Sequence, residues 1–267
     1  MDTIHGSDLY SNLVRPAWAE ELRQTVSVAA AVIAVSESLA RDAVAMIGAD
    51  PRRVLVIPDT YDETRFHYVA RMPHAGPLRL VSVGRLVDVK GHDILLQAFA
   101  RVVAEGLDAT LEIVGGGPER QSLMRLAADL GVDDRVRMRG ALGEDELVSA
   151  LAEADAFVMA SRKEGFGVAL VEALATGLPA IATRSGGPEA ILDDASGLLV
   201  SPEDPDDLSR ALRELASRID SYDRASIAAR VRSRYGAEVI GQRLVDLYRA
   251  VISDEVEAHV AGGARHA

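Results

Sequence analysis

The chain has 267 residues, with 41 acidic and 29 basic side chains and a formal net charge of −12. Hydrophobic residues make up 48% of it, which is typical of a globular protein and not of a disordered one. The acidity argues against a nucleic-acid binder, which needs a basic surface. Because cysteine is absent, disulfides, thiolate metal sites and a cysteine nucleophile are excluded.

The sequence shows no targeting segment. Its N-terminus lacks the basic and then apolar pattern of a signal peptide. The longest apolar run, near 26–35, is too short to span a bilayer, which needs about 20 residues. We therefore expect a cytoplasmic protein, and peripheral contact with the inner face of a membrane stays open.

Short apolar runs bounded by turn residues predict buried strands along most of the chain. In chain order these runs are 31–35, 53–57, 78–84, 109–115, 135–139, 156–160, 179–183 and 197–200. Amphipathic stretches between them, such as 94–103, have the period of helices. Strands that alternate with helices predict an α/β fold with a doubly wound parallel sheet, buried on both faces.

The predicted elements divide the chain unevenly. The six strands between residues 78 and 200 predict one complete Rossmann-like domain, bounded at 77–235. Segment 1–76 contains two predicted strands, two helices and a linker, too little for a second complete α/β domain. A final helix is expected at 236–252, followed by a flexible tail at 253–267.

Two cations stand in the turn that follows the first strand of this domain. Ligands of open parallel sheets bind outside the carboxyl ends of the strands, so such turns are the candidate sites. Arg85 and Lys90 lie there, just before a predicted helix. Backbone N–H groups, the helix dipole and two cations would together form an anion site. The alternative is a solvated loop with two surface cations.

A second turn carries two carboxylates around a glycine loop. Glu164 precedes Gly165 and Gly167, where backbone can approach a ligand closely, and Glu172 follows in the next predicted helix. This spacing suits two hydroxyl-bearing parts of one ligand. Glu172 has apolar neighbours, so it is either on a solvated helix face, which helix propensity favours, or a buried acceptor for hydroxyl groups.

The sequence lacks the motifs of dinucleotide binding, of metal binding and of serine hydrolases. A dinucleotide fingerprint starting at Gly115 would need glycine where Arg120 stands, so a nicotinamide dehydrogenase is excluded. The histidines lack the spacing of metal ligands, and no Gly-x-Ser-x-Gly elbow is present. Only Lys90 and Lys163 are lysines, and both stand beside glycine-rich turns.

Four motifs then occur in a fixed order. They are Gly84-Arg85-x4-Lys90-Gly91, the turn at 115–118, Glu164-Gly165-Phe166-Gly167-x4-Glu172, and Gly186-Gly187-x-Glu189. Together they resemble the donor-binding half of retaining GT-B glycosyltransferases, family 4. The resemblance covers about residues 31–251, and its most specific part is the Glu-x7-Glu block with the embedded Gly-Phe-Gly.

The resemblance implies transfer of a sugar from a nucleotide-sugar, such as a UDP-, GDP- or ADP-sugar, to a glycan, lipid or small-molecule acceptor with retained configuration. Arg85 and Lys90 would hold the diphosphate, Glu172 the ribose and Glu164 the transferred sugar. No metal or other cofactor is implied, and Glu164 is not expected to be a nucleophile. The other expected donor-binding residues are Gly84, Gly115, Arg139, Gly165, Phe166, Gly167 and Glu189.

The beginning of the chain resembles the acceptor-side domain of the same family. The stretch Ile4-His5-Gly6-Ser7-Asp8 is similar to its strand-end His-Gly-x-Asp, which implies that His5 lies near the reacting centre. His5, Arg85, Lys90 and Glu164 are therefore the expected catalytic group. The alternative for His5 is an N-terminal histidine without a role.

Two departures from the family pattern leave an alternative function open. The acceptor-side domain normally begins much earlier, so segment 1–76 is expected to be a truncated remnant of it. The hinge, usually Asn-Gly-Val-Asp, is Asp59-Thr60-Tyr61-Asp62 here. The chain could therefore be an incomplete or degenerate donor-binding module, inactive unless a partner supplies the missing domain.

The same departures lead to two structural expectations. If nothing completes their sheet, the strands at 31–35 and 53–57 would expose unpaired edges and apolar faces, which predicts self-association. The final helix is expected to pack back toward the N-terminal part, because it does so in the family.

Overall fold

The protein forms two parallel sheets flanked by helices, in a computed structural model that describes residues 1–11, 16–70 and 76–263. The strands of the described residues are β1 (Asp2–Ile4), β2 (Val32–Ala34), β3 (Val54–Val56), β4 (Leu78–Val83), β5 (Ala109–Val114), β6 (Val136–Gly140), β7 (Ala156–Met159), β8 (Ala180–Thr183) and β9 (Gly197–Val200). The expected α/β class with a doubly wound parallel sheet is confirmed.

Helices connect most of the strands. They are α1 (Pro16–Val28), α2 (Glu37–Ile47), α3 (His92–Ala104), α4 (Arg120–Asp129), α5 (Glu144–Glu153), α6 (Val168–Ala175), α7 (Pro188–Ile191), α8 (Pro205–Ser217), α9 (Arg224–Tyr235) and α10 (Ala237–Gly263). In the described ranges, no helix combines the length and apolar character that a bilayer span requires.

The larger sheet has six strands in the order β6-β5-β4-β7-β8-β9. From β4 the chain first adds strands on one side, and then returns to place β7 against the other side of β4. The strand order therefore reverses between β4 and β7. In open α/β sheets such a switch point opens a crevice at the carboxyl ends of the two strands.

Both faces of the larger sheet are buried, because neighbouring residues of a strand point to opposite faces. Phe157 belongs to an apolar cluster with α6 and α9, whereas Val158 belongs to a second cluster with α3, α4 and α8. The first cluster continues into the N-terminal segment through Ile4, Val32 and Leu39. The first cluster therefore joins the two sheets.

The smaller sheet corrects an expectation about its edges. β2 pairs with β1 on one side and with β3 on the other, so the strand predicted at 31–35 is central and not an edge. Its three residues are also buried, so its apolar faces are covered. β1, which hydrophobic periodicity did not predict, consists of three residues aligned with β2, from Asp2 opposite Val32 to Ile4 opposite Ala34.

The C-terminal helices are tied to the N-terminal part of the chain. Ile240 of α10 packs against Ile33 and Ile57, and the Arg243 guanidinium donates to the Val56 carbonyl at 2.6 Å. Thr60, at the unusual hinge position, donates its hydroxyl to the Tyr235 carbonyl at 2.9 Å. The last helix continues to Gly263 and so includes most of the segment expected to be a tail, while 264–267 lie outside the described residues.

Candidate functional site

A cavity of about 340 Å³ opens at the carboxyl ends of the strands, where the two sheets face each other. Turns from both sheets line it, as expected when all strands of each sheet point the same way. The polar and glycine residues that line it are His5, Gly6, Ser7, Tyr10, Asp59, Gly84, Arg85, Lys90, Lys163, Glu164, Gly165 and Gly167.

The turn after β4 brings the two predicted cations to this cavity. A single 3₁₀ turn ends at Lys90, and Gly91 follows with φ of +62°. A Cβ on Gly91 would lie 2.0 Å from the Ala160 carbonyl oxygen, so only glycine lets this turn pack against the end of β7. The Arg85 side chain is exposed and, within the described ranges, makes no ion pair. Arg85 is therefore available to bind an anion, beside the ammonium group of Lys90.

Glu164 meets Lys90 across the switch point. The Lys90 ammonium donates to Oε2 of Glu164 at 2.5 Å, and the Ser161 hydroxyl lies 3.3 Å from the same oxygen. The Glu164 backbone is held too, because its N–H donates to the Ser185 carbonyl and its carbonyl accepts from Gly187, each at 2.9 Å. The carboxylate is therefore fixed in direction, with its charge balanced by Lys90.

The glycine loop after β7 leads directly into α6. Gly167 caps this helix with φ of +109°, and Val168 and Ala169 of its first turn line the cavity. The N–H groups at the start of a helix have no partner within it, so they are available to a ligand. The Phe166 ring points away into the core and packs edge-on against Tyr235, with 5.5 Å between ring centres. Phe166 thus anchors the loop by packing its ring in the core.

His5 follows β1 and faces the cavity from the other side. Its Nε2 lies 3.2 Å from Oδ1 of Asp59, and its backbone N–H donates to the Asp8 carboxylate at 2.8 Å. Two contacts thus fix His5 beside the turns of the larger sheet. His5 therefore lines the cavity, and its expected place near a reacting centre stays a prediction.

His92 lies beneath the first turn, and sequence reasoning did not single it out. It is 2% exposed, and its Nε2 would lie 3.6 Å from a Cβ on Gly84. Burial lowers the pKa of His92 to about 4, so the imidazole is neutral at physiological pH. The arginine and lysine side chains that line the cavity are Arg85, Lys90 and Lys163.

Glu172 stands outside the cavity lining, on the side of α6. Burial, and to a smaller extent the neighbouring charge of Glu144, raise the pKa of its carboxyl group to about 7. Glu172 is half-buried, so it does not lie on the solvated helix face that helix propensity favours. A half-buried carboxyl group of this kind can accept hydrogen bonds from hydroxyl groups.

Three more expected donor-binding residues lie outside the cavity lining and shape its surroundings. Gly115 has φ of +148°, and a Cβ there would lie 1.8 Å from the Gly84 carbonyl oxygen, so it allows the two turns to touch. The Arg139 guanidinium pairs with Glu112 at 3.1 Å. The Glu189 carboxylate accepts the Gly186 N–H at 2.9 Å.

Sequence reasoning missed Asp59, Tyr10 and Lys163 as parts of the cavity. Asp59 pairs with a residue far away in the chain, which no local pattern shows. Lys163 did carry a signal, because it is one of only two lysines and both line the cavity. In the part of the chain that the structure describes, no group of three or more histidine, aspartate and glutamate side chains could hold a metal ion.

A Rossmann-like sheet that faces a second parallel sheet across a polar crevice defines the GT-B class of folds. Residues 71–232, more than half of the chain, match the family described as Glycosyl transferases group 1. The chain belongs to this family.

Individual relatives agree with this assignment. The D-inositol 3-phosphate glycosyltransferase of Corynebacterium urealyticum is 38% identical over 195 residues, which are 68% of this chain and 46% of that protein. A GDP-mannose-dependent phosphatidylinositol monomannoside mannosyltransferase of Corynebacterium glutamicum is 37% identical over 62% of this chain and 45% of its own length. The chain spans about half the length of these curated relatives.

A solved structure shows the same fold. HepE from Anabaena, in complex with UDP, superimposes with a TM-score of 0.79 over 93% of this chain and 71% of its own. Its sequence identity is 20%, so the likeness concerns the fold.

Proposed function

We propose that this chain carries the nucleotide-sugar site of a retaining GT-B glycosyltransferase of family 4, which transfers a sugar to a glycan, lipid or small-molecule acceptor. The observation that carries the proposal is the grouping of Arg85, Lys90 and Glu164 in one cavity, opposite His5 and Asp59. Cations suit a diphosphate, and fixed carboxylates suit sugar hydroxyls. The names of the relatives, which mention glycosyl transfer and GDP-mannose, and the UDP complex of HepE support a nucleotide-sugar donor.

In the proposed reaction, the bond between the anomeric carbon and the diphosphate oxygen breaks, and its electron pair leaves with the diphosphate. Arg85, Lys90 and the first N–H groups of α6 stabilise the charge that develops there. The acceptor hydroxyl attacks the anomeric carbon from the face that the diphosphate leaves, and passes its proton to a departing phosphate oxygen. Glu164 accepts hydrogen bonds from the sugar and forms no covalent bond with it.

The alternative of a degenerate module is not favoured. In a module that no longer binds a donor, nothing would keep the charged residues of the former site in one cavity. Here Arg85 stays exposed and without an ion pair in the described ranges, and Lys90 and Glu164 stay paired at the cavity. These three charged groups are what a working donor site needs at the diphosphate and the sugar.

The experiment is isothermal titration of the 267-residue chain with UDP, GDP and ADP. We expect one of them to bind, and Arg85→Ala and Lys90→Ala each to weaken it about 10- to 100-fold, since a hydrogen bond to a charged group contributes about 1.5–3 kcal/mol. Arg137→Ala removes an exposed arginine of β6 that does not line the cavity and serves as the matched control.

Arg85→Ala removes an exposed side chain, so it keeps the test valid if Lys90→Ala fails to fold. Absence of binding by a cooperatively folded chain would contradict the proposal. Equal effects of Arg85→Ala and Arg137→Ala would contradict the assigned diphosphate contact. Retention is tested separately, from the anomeric proton signal of the product.

A further inference from the structure

A cluster of three side chains joins the N-terminal segment to the glycine loop 161–167, and the mechanism above does not use it. Oδ2 of Asp42 in α2 accepts the Tyr10 hydroxyl at 2.7 Å and also lies 2.9 Å from the Lys163 ammonium. The Lys163 ammonium lies 4.7 Å from the centre of the Tyr10 ring. One carboxylate and one aromatic ring, both from the N-terminal segment, thus hold a cation of the loop.

The partial burial of this cluster makes its contacts more effective than those of an exposed ion pair. The Asp42 side chain is 27% exposed and that of Lys163 is 39% exposed. Burial alone would raise the pKa of Asp42, but the Tyr10 hydroxyl and Lys163 hold it below its usual value. Burial and Asp42 raise the pKa of Tyr10. At neutral pH Asp42 is therefore ionised and Tyr10 is neutral.

The loop needs such an anchor because its glycines leave the backbone free to adopt many conformations. On one side it is attached to the turn after β8, through the Glu164 and Gly187 backbone groups. On the other side Gly165 touches Gly6, where a Cβ on Gly165 would lie 2.8 Å from the Gly6 backbone. Lys163 adds a charged side-chain attachment on this second side, one residue before Glu164.

We propose that Tyr10, Asp42 and Lys163 are positioning residues, which fix the glycine loop against the N-terminal segment and so aim the Glu164 carboxylate at the transferred sugar. Lys163 acts through Asp42 and Tyr10 and does not itself hold the diphosphate. The inference rests on the proposed function for the identity of the ligand, but the immobilisation of the loop does not depend on it.

The test measures the loop and the ligand separately, in Lys163→Met, Lys163→Arg and Asp42→Asn. Hydrogen exchange of the 161–167 amides reports the loop without any ligand. Titration with UDP, UDP-glucose, GDP, GDP-mannose, ADP and ADP-glucose reports how much the sugar adds to the affinity of its nucleoside diphosphate. Arg135→Met is the control, because it breaks an ion pair of the same 2.9 Å length, with the more exposed Asp108, at the amino ends of β5 and β6.

We expect Lys163→Met and Asp42→Asn to speed exchange in the loop at least tenfold. They should reduce the contribution of the sugar to affinity at least fivefold, and change the affinity for the nucleoside diphosphate less than twofold. Lys163→Arg should retain both the slow exchange of the loop and the contribution of the sugar to affinity, because a guanidinium can also pair with Asp42. A cluster that only stabilised the fold would change the melting temperature and leave the contribution of the sugar unaltered.

Several results would overturn the proposal. Unchanged loop exchange in Lys163→Met would show that the cluster does not fix the loop. An equal loss of affinity for the diphosphate and for its sugar ester would make Lys163 a ligand contact instead. If no nucleotide binds the unaltered chain, the proposed function fails, and faster exchange in the variants would still establish the anchor.

Discussion

Glu172 is half-buried on α6, and its surroundings give it unusual acid–base behaviour. Burial, and then Glu144, raise the pKa of its carboxyl group to about 7 in the folded protein. The unfolded chain loses this proton at a lower pH, near the ordinary value of about 4.3 for glutamate. Folding therefore becomes less favourable as the pH rises between these two values, and the loss is complete above the folded pKa.

We expect Glu172→Gln to remove this pH-dependent loss. Relative to the unaltered chain, the variant should gain about 1–2 kcal/mol of unfolding free energy between pH 4 and pH 8, after allowance for solvent screening. Urea unfolding at several pH values measures the difference. Glu144→Gln should reduce the effect in part, since it removes the second cause. A difference that does not vary with pH would contradict the assigned pKa.

The element that joins the C-terminus to the smaller sheet is α10. Ile240 is 3% exposed and packs against Ile33 of β2 and Ile57 beyond β3, while the preceding Val239 is 39% exposed. We expect Ile240→Ala to lower the unfolding free energy by about 2–4 kcal/mol, because it opens a cavity in this contact. Val239→Ala, at an exposed position of the same helix, should cost less than about 1 kcal/mol. Urea unfolding compares them, and equal effects would show that α10 does not hold the sheet.

Elements that carry their own pattern could be predicted from sequence. The six strands of the larger sheet are apolar runs between turn residues, and the helix over α3 has a clear period, so all were predicted. β1 was not predicted as a strand by its periodicity, because three residues are too few to show one and its pairing with β2 fixes it. Only the family resemblance indicated a strand end at His5.

Some residues of the candidate site could likewise be predicted from the sequence, and others could not. Arg85, Lys90 and Glu164 stand in turns after strands, and general rules of parallel sheets place such turns at one edge. The partners that complete the cavity come from distant parts of the chain, as in His5 with Asp59, and no local signal shows them. The position of Glu172 stayed ambiguous, because a helical period alone does not decide which neighbour will cover a residue.

For the whole molecule, the balance between exposed strand edges and net charge decides association. Among the described strands of the smaller sheet, β1 and β3 each have one unpaired edge, and Leu55 of β3 is 40% exposed. The net charge of −12 opposes contact between two copies, and salt screens this repulsion. Self-association therefore stays a prediction, and it should increase as the salt concentration rises.

We expect the mass measured by light scattering to rise when the ionic strength increases from about 0.01 M to about 1 M, since the screening length falls from about 30 Å to about 3 Å. Leu55→Lys places a charge on the edge strand and should reduce this rise. A monodisperse monomer at both ionic strengths would contradict the prediction. An equal rise in the variant would show that association uses another surface.

The contact between Gly6 and Gly165 also limits how this sequence can change over evolutionary time. A methyl group on Gly6 would lie 3.2 Å from the Gly165 backbone, and one on Gly165 would lie 2.8 Å from the Gly6 backbone. A substitution at either position therefore requires the other segment to retreat, and both segments line the same cavity. Two positions far apart in the chain therefore constrain each other. A substitution at one of them should be tolerated only together with a compensating change near the other.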